Sequence, residues 1–201
     1  MGMPANAIKS ASYTKDQVDA IVEVQIPKHA LATRLAYESG VKASEIATLR
    51  PPLVRTLDPV GDYDEHLFAG RKDIVIYSVH PHRGVPRRIS VSRSLAQKLE
   101  QARLVRPTRA QVGDDETYCG YDIGYGHPWV HNFAEASDIA LGFSHGTQGL
   151  RHAYIQERSL ELTIAGYSHE DRVNIIALET GLQPNSVERY ATVGRVPQAR
   201  L

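Results

Sequence analysis

Hydrophobic positions along this chain recur mostly at helical spacing, with one interruption of strand-like alternation. Val18, Ile21, Val22 and Val24 form a first apolar stripe, opened by Thr14 and Gln17 at capping-box spacing and closed by Pro27. Leu31, Leu35 and Ala36 predict a second helix from about Lys28 to Ser39, with Gly40 as its C-terminal cap. A short helix from Ser44 to Leu49 stops at Pro51-Pro52, and residues 53–72 carry no period. The β-rich run Asp73 to Val79 and the alternating run Arg87 to Val91 predict a hairpin that turns around Pro81–Gly84. Ser92 then caps a helix to about Arg103 that carries Leu95 and Leu99 on one side. Residues 105–127, rich in Gly, Asp and Tyr, read as a long loop. Helical spacing returns over 128–141, 147–163, 168–180 and 185–193. Helices, a small antiparallel sheet or hairpin, then helices again predict an α+β fold that is mainly helical. Residues 13–193 read as one domain, with tails at 1–12 and 194–201.

Composition narrows the function classes. At 201 residues the chain can bury a proper core, and 42% hydrophobic with 23% charged residues is ordinary for a soluble protein. No apolar run approaches the length of a membrane span, and the N-terminus lacks the apolar stretch of a leader. The single cysteine, Cys119, rules out an internal disulfide and fits a reducing, cytoplasmic setting. His80-x-His82 and His127-x-x-x-His131 have no acidic or thiolate partners at metal-ligand spacing, so no metal is expected. Net charge is zero, which argues against holding DNA by bulk electrostatics. The distribution is uneven: between His80 and Arg109 there are eight cations, including Arg83, Arg87, Arg88 and Arg93, against the single anion Glu100. An acidic run, Asp114-Asp115-Glu116, follows. Tyr118, Tyr121 and Tyr125 beyond it either stack on bases or pack on their own domain.

Two further features carry candidate chemistry. The stretch Gly146-Thr147-Gln148-Gly149-Leu150-Arg151-His152-Ala153-Tyr154 puts an arginine inside an apolar helical stripe, and Tyr190 lies on the last helix. Taken singly, Arg151 reads as an ion-pair arginine, Tyr190 as a half-buried packing residue, His152 as structural and Lys42 as a solvated cation. Taken in order over residues 12–193, they resemble the catalytic domain of the tyrosine recombinases, the phage-integrase family, with the nearest echo in mobile-element integrases.

That resemblance implies a tyrosine-recombinase catalytic-domain fold, duplex DNA as substrate, no cofactor, and a set of site residues. In the family's first motif, Gly-Leu-Arg-x-x-Glu-Leu, this chain has Gly40-Val41-Lys42-Ala43-Ser44-Glu45-Ile46, so Lys42 replaces the first catalytic arginine. The hairpin lysine falls near His82. The second motif, His-x-x-Arg-His, becomes Gln148-Gly149-Leu150-Arg151-His152, with His145 three residues earlier as a substitute acid. The third motif, Gly-His, becomes Thr180-Gly181, and the nucleophile is Tyr190. In such chemistry a phenol of pKa about 10 attacks phosphorus, and preorganised donors meet the developing charge. Two arginines do this with a planar fork that lysine cannot copy. Removing one such donor typically costs about 10²–10³ in rate. The expectation is a DNA-binding relative with catalysis weakened or lost, self-associating or working with an active recombinase. The family's separate N-terminal clamp domain has no counterpart in this sequence, implying a fragment or a short relative.

A rival pattern is helix-turn-helix spacing in Ala177-x₃-Gly181-x₅-Val187 and Ala36-x₃-Gly40-x₅-Ile46. In a noncatalytic regulator of that type, Asn185, Ser186 and Arg189 would face the major groove. A protein-interaction remnant is the third alternative.

Overall fold

The computed structural model describes residues 11–51, 67–80 and 86–192. Three helices come first: α1 (Lys15–Glu23), α2 (Pro27–Ser39) and α3 (Ala43–Ile46). Thr14 and Gln17 complete the expected capping box on α1. Pro27 is the first residue of α2, where its missing N–H costs nothing. Gly40 ends α2 in the left-handed conformation, at φ 63°. This is the C-cap anticipated from the sequence. A side chain there would also collide with the Tyr154 ring, 2.8 Å from an added Cβ.

Strands β1 (Ile74–Val79) and β2 (Arg87–Ser92) pair antiparallel, from Ile74 opposite Ser92 to Val79 opposite Arg87. Tyr77, Val79, Ile89 and Val91 point into the core. The expected hairpin is therefore present; its turn lies outside the described residues. Ser92 Oγ accepts the Leu95 N–H at 3.2 Å and opens α4 (Arg93–Gln101).

The segment read as a loop over 105–127 is a second hairpin. Strand β3 (Arg103–Val112) pairs with β4 (Asp115–Tyr121), and α5 (Gly126–Leu141) begins directly afterwards. A two-residue connection, Gly113-Asp114, joins them, with Gly113 at φ 63°. Ala110, Cys119 and Tyr121 face inward, and the polar residues between them gave the segment its loop-like composition.

Helices α6 (Gln148–Ile164), α7 (His169–Thr180) and α8 (Pro184–Thr192) complete the fold. The larger core joins α1, α2, α4 and α5 to the inner faces of both hairpins, around the fully buried Trp129 and Phe133. A smaller core gathers Tyr154, Ile155, Leu162, Val173, Ile176 and Val187 from α6, α7 and α8. Helix α6 packs against α2 on one side and against α7 and α8 on the other, so it borders both. No described helix is long and apolar enough to cross a membrane.

Candidate active site

The C-termini of α2 and α7 meet beside the start of β2, and each ends in a left-handed glycine, Gly40 and Gly181. Helix C-termini present carbonyls without intrahelical partners and a partial negative charge. Two arginines fill that role here. Arg151, from the first half of α6, donates from Nη1 to the Gly40 carbonyl and from Nη2 to the Thr180 carbonyl, both at 2.6 Å. Arg87, the first residue of β2, donates from Nη1 to the Glu179 carbonyl at 2.6 Å. Its Nε and Nη2 bind both oxygens of Glu45, at 3.1 and 2.6 Å. Glu45 also reaches back to the Lys42 N–H at 2.8 Å, which starts α3.

Arg151 is only 2% exposed. Burial, and next the neighbouring Arg87 charge, pull its pKa down to about 10; Glu45 and the Tyr190 phenol oppose that shift. The guanidinium stays charged at neutral pH. Burial alone would raise the Glu45 carboxyl, but Arg87 outweighs it and holds Glu45 below its ordinary value.

A second charged network lies beneath this junction. Glu179, fully buried, accepts from Arg158 Nε at 3.0 Å, from Tyr154 Oη at 2.7 Å and from the Phe68 N–H at 3.0 Å. Arg158 also donates to the Ala69 carbonyl and to Glu161, which pairs in turn with Arg71. The sequence reading did not identify these residues. The available signal was on α6, where Arg151 and Arg158 sit seven apart in register with Leu150, Tyr154, Ile155 and Leu162, on the buried face. Charged residues in an apolar stripe must be paired.

Tyr190 is half-buried on α8, packed against the smaller core. Its ring lies 4.4 Å from the His152 ring, centroid to centroid. Burial first, then the Arg151 and His145 charges, push the His152 pKa below its ordinary value. Arg151, His152, His145 and Tyr190 are therefore neighbours, although distant in sequence. The His145 ring packs on Tyr13 and Phe143, and its backbone N–H donates to Tyr13 Oη at 2.6 Å. Gln148, the first residue of α6, and Lys42 are exposed. Arg93, Asn185 and Arg189 are exposed on their helices, and Arg88 is half-buried on β2. Arg87 differs from a free phosphate contact, since its guanidinium is bound to Glu45 and Glu179. His82 and Arg83 lie outside the described residues. Among the described residues no group of three or more metal-ligating side chains converges.

No family model matches the chain, and neither does any curated protein sequence. Among solved structures, it resembles the XerH site-specific recombinase bound to palindromic difH substrate in a post-cleavage complex, with a TM-score of 0.54. The fold is tyrosine-recombinase-like. Sequence identity to that recombinase is 11%, and the match covers 90% of this chain but 48% of the recombinase. The chain thus spans about half the length of the structure it resembles, and the likeness concerns the fold.

Proposed function

We propose that this protein binds duplex DNA in the cytoplasm through a tyrosine-recombinase fold whose strand-cleavage chemistry is weakened or lost, as a relative of mobile-element integrases. Residues 13–193 form the working unit. The observation that carries this reading is the state of Arg151: it is nearly inaccessible, and both terminal nitrogens are held by backbone carbonyls. An oxyanion-stabilising arginine needs those donors aimed at the developing charge. The substitutions Lys42, Gln148 and Gly181 at the other motif positions point the same way. Tyr190 is the nucleophile of any residual cleavage, with His145 or His82 as acid. Arg83, Arg88, Arg93 and His152 make up the expected backbone contacts, while Arg87 serves the junction itself. Self-association, or assembly with an active recombinase, would supply what the junction lacks.

The test combines two assays on one labelled duplex. Salt-dependent binding is expected in fluorescence anisotropy, and Tyr190→Phe is expected to leave it unchanged. A nicked suicide substrate is expected to trap little or no covalent adduct. Abundant adduct that disappears in Tyr190→Phe would refute the loss of catalysis. Absence of binding at about 0.1 M salt would refute the DNA-binding reading.

A noncatalytic groove reader is the second reading, favoured by the exposure of Asn185 and Arg189 on α8. It requires sequence-specific binding that Asn185→Ala relaxes.

A further inference from the structure

The β3–β4 hairpin takes no part in the arginine junction, yet its outer strand is unusual. The ladder runs from Arg103 opposite Tyr121 directly to Thr108 opposite Cys119, so β3 takes five steps where β4 takes two. The surplus residues bulge outward, and residues 105–109 are all exposed, so this part of the strand shows both faces to solvent. Val105 is 100% exposed. Arg106 and Arg109 form no ion pair among the described residues. Arg109 stands directly opposite Tyr118, itself 54% exposed, on the outer face.

These features select one class of partner. Pro107 has no N–H and interrupts the open edge, which disfavours addition of a protein strand. Two guanidiniums with no ion pair among the described residues, and a phenol opposite one of them, instead suit a polyanion with regularly spaced phosphates. Arg109 is the diagonal neighbour of Glu116 across the ladder, about 7–8 Å away, and forms no ion pair with it among the described residues; Arg106 lies three residues farther from the acidic tip. The hairpin is also tied to the candidate site. Arg50 Nη1 donates to the Tyr118 carbonyl at 3.0 Å, and Arg50 bridges to Ser78. The next residue, Val79, pairs with Arg87 of the junction.

We propose that the bulged β3 segment Val105–Arg109, with Tyr118, is a separate contact surface for the duplex DNA backbone, independent of base sequence. This rests on the DNA-binding reading above, and the experiment separates the two. The full-length protein and its Arg106→Ala/Arg109→Ala variant are titrated with a random-sequence duplex between 50 and 200 mM salt. Both altered side chains are exposed, and matching circular dichroism spectra establish equal folding. Loss of two phosphate contacts should lower the slope of log affinity against log salt by about 2, and weaken binding roughly 10- to 100-fold at 0.1 M. Tyr118→Ala should weaken binding without changing the slope. Wild-type binding with an unaltered slope in the double variant overturns the surface and leaves the DNA-binding reading standing. No wild-type binding overturns both. Binding of polyglutamate that the double variant loses, with duplex binding intact, overturns the surface in favour of an acidic protein partner.

Discussion

Glu45 is the residue on which the junction's charge balance turns. Its carboxylate faces Arg87 directly and is the negative charge that most favours the charged form of Arg151. Removing one member of a buried ion pair typically costs about 3–5 kcal/mol, because the partner is left buried and uncompensated. Glu45→Gln should destabilise the protein by that order, read as a lower urea midpoint at unchanged slope. The pH dependence follows from the same contact. The folded-state pKa of Glu45 is depressed, so its stabilisation is complete above the ordinary value of 4.5 and is lost as pH falls through the lower folded value. Acid unfolding of the wild type should show this loss, and Glu45→Gln should flatten the profile in that window; a profile identical to wild type would mean the pair contributes nothing. The sequence singled out Arg151 and Tyr190 but gave no sign of what each would touch. It could not, because Arg151 is defined by carbonyls of Gly40 and Thr180, and backbone oxygens leave no trace in side-chain identity.

Among the elements, those set by local rules were legible. The capping box of α1, the Gly40 cap, the Ser92 cap and the β1–β2 hairpin all depend on neighbouring residues and formed as the pattern implied. The β3–β4 hairpin was missed because its inward positions, Ala110, Cys119 and Tyr121, are sparse among polar residues, and the bulge breaks the alternation. Its short turn, Gly113-Asp114, was the signal present. Two glycines with the same left-handed backbone separate conformational strain from packing. Gly113 has open space around an added Cβ, whereas Gly40 faces the Tyr154 ring. Gly113→Ala should cost about 1–2 kcal/mol, the left-handed penalty alone. Gly40→Ala should cost clearly more, by the overpacking increment of about 1–3 kcal/mol. Equal losses in thermal unfolding would show that the Tyr154 contact relaxes freely.

At the scale of the whole molecule, two cores share α6, and the arginines of that helix lock them together. Arg151 joins α6 to the ends of α2 and α7, while Arg158 fastens α7 to the segment at Ala69. The single tryptophan, Trp129, reports on the larger core alone, whereas far-ultraviolet circular dichroism reports on every helix. In the wild type both signals should give one coincident denaturant midpoint. Arg151→Ala should destabilise the protein and separate the two midpoints, the α7–α8 side unfolding first. Coincident midpoints in that variant would mean apolar packing alone couples the cores. The N-terminal segment is drawn in as well: Ser12 Oγ donates to Gln156 Oε1 at 2.8 Å, on the helix that borders both cores.

The amide oxygens of Gly40 and Thr180 stand where an incoming phosphate oxygen would have to sit. Any anion that captures Arg151 must first evict them, and each eviction reopens a helix end that the guanidinium had sealed. Occupancy would then be felt as faster amide hydrogen exchange at two turns more than a hundred residues apart in the chain, so that a ligand at this point loosens the scaffold around it.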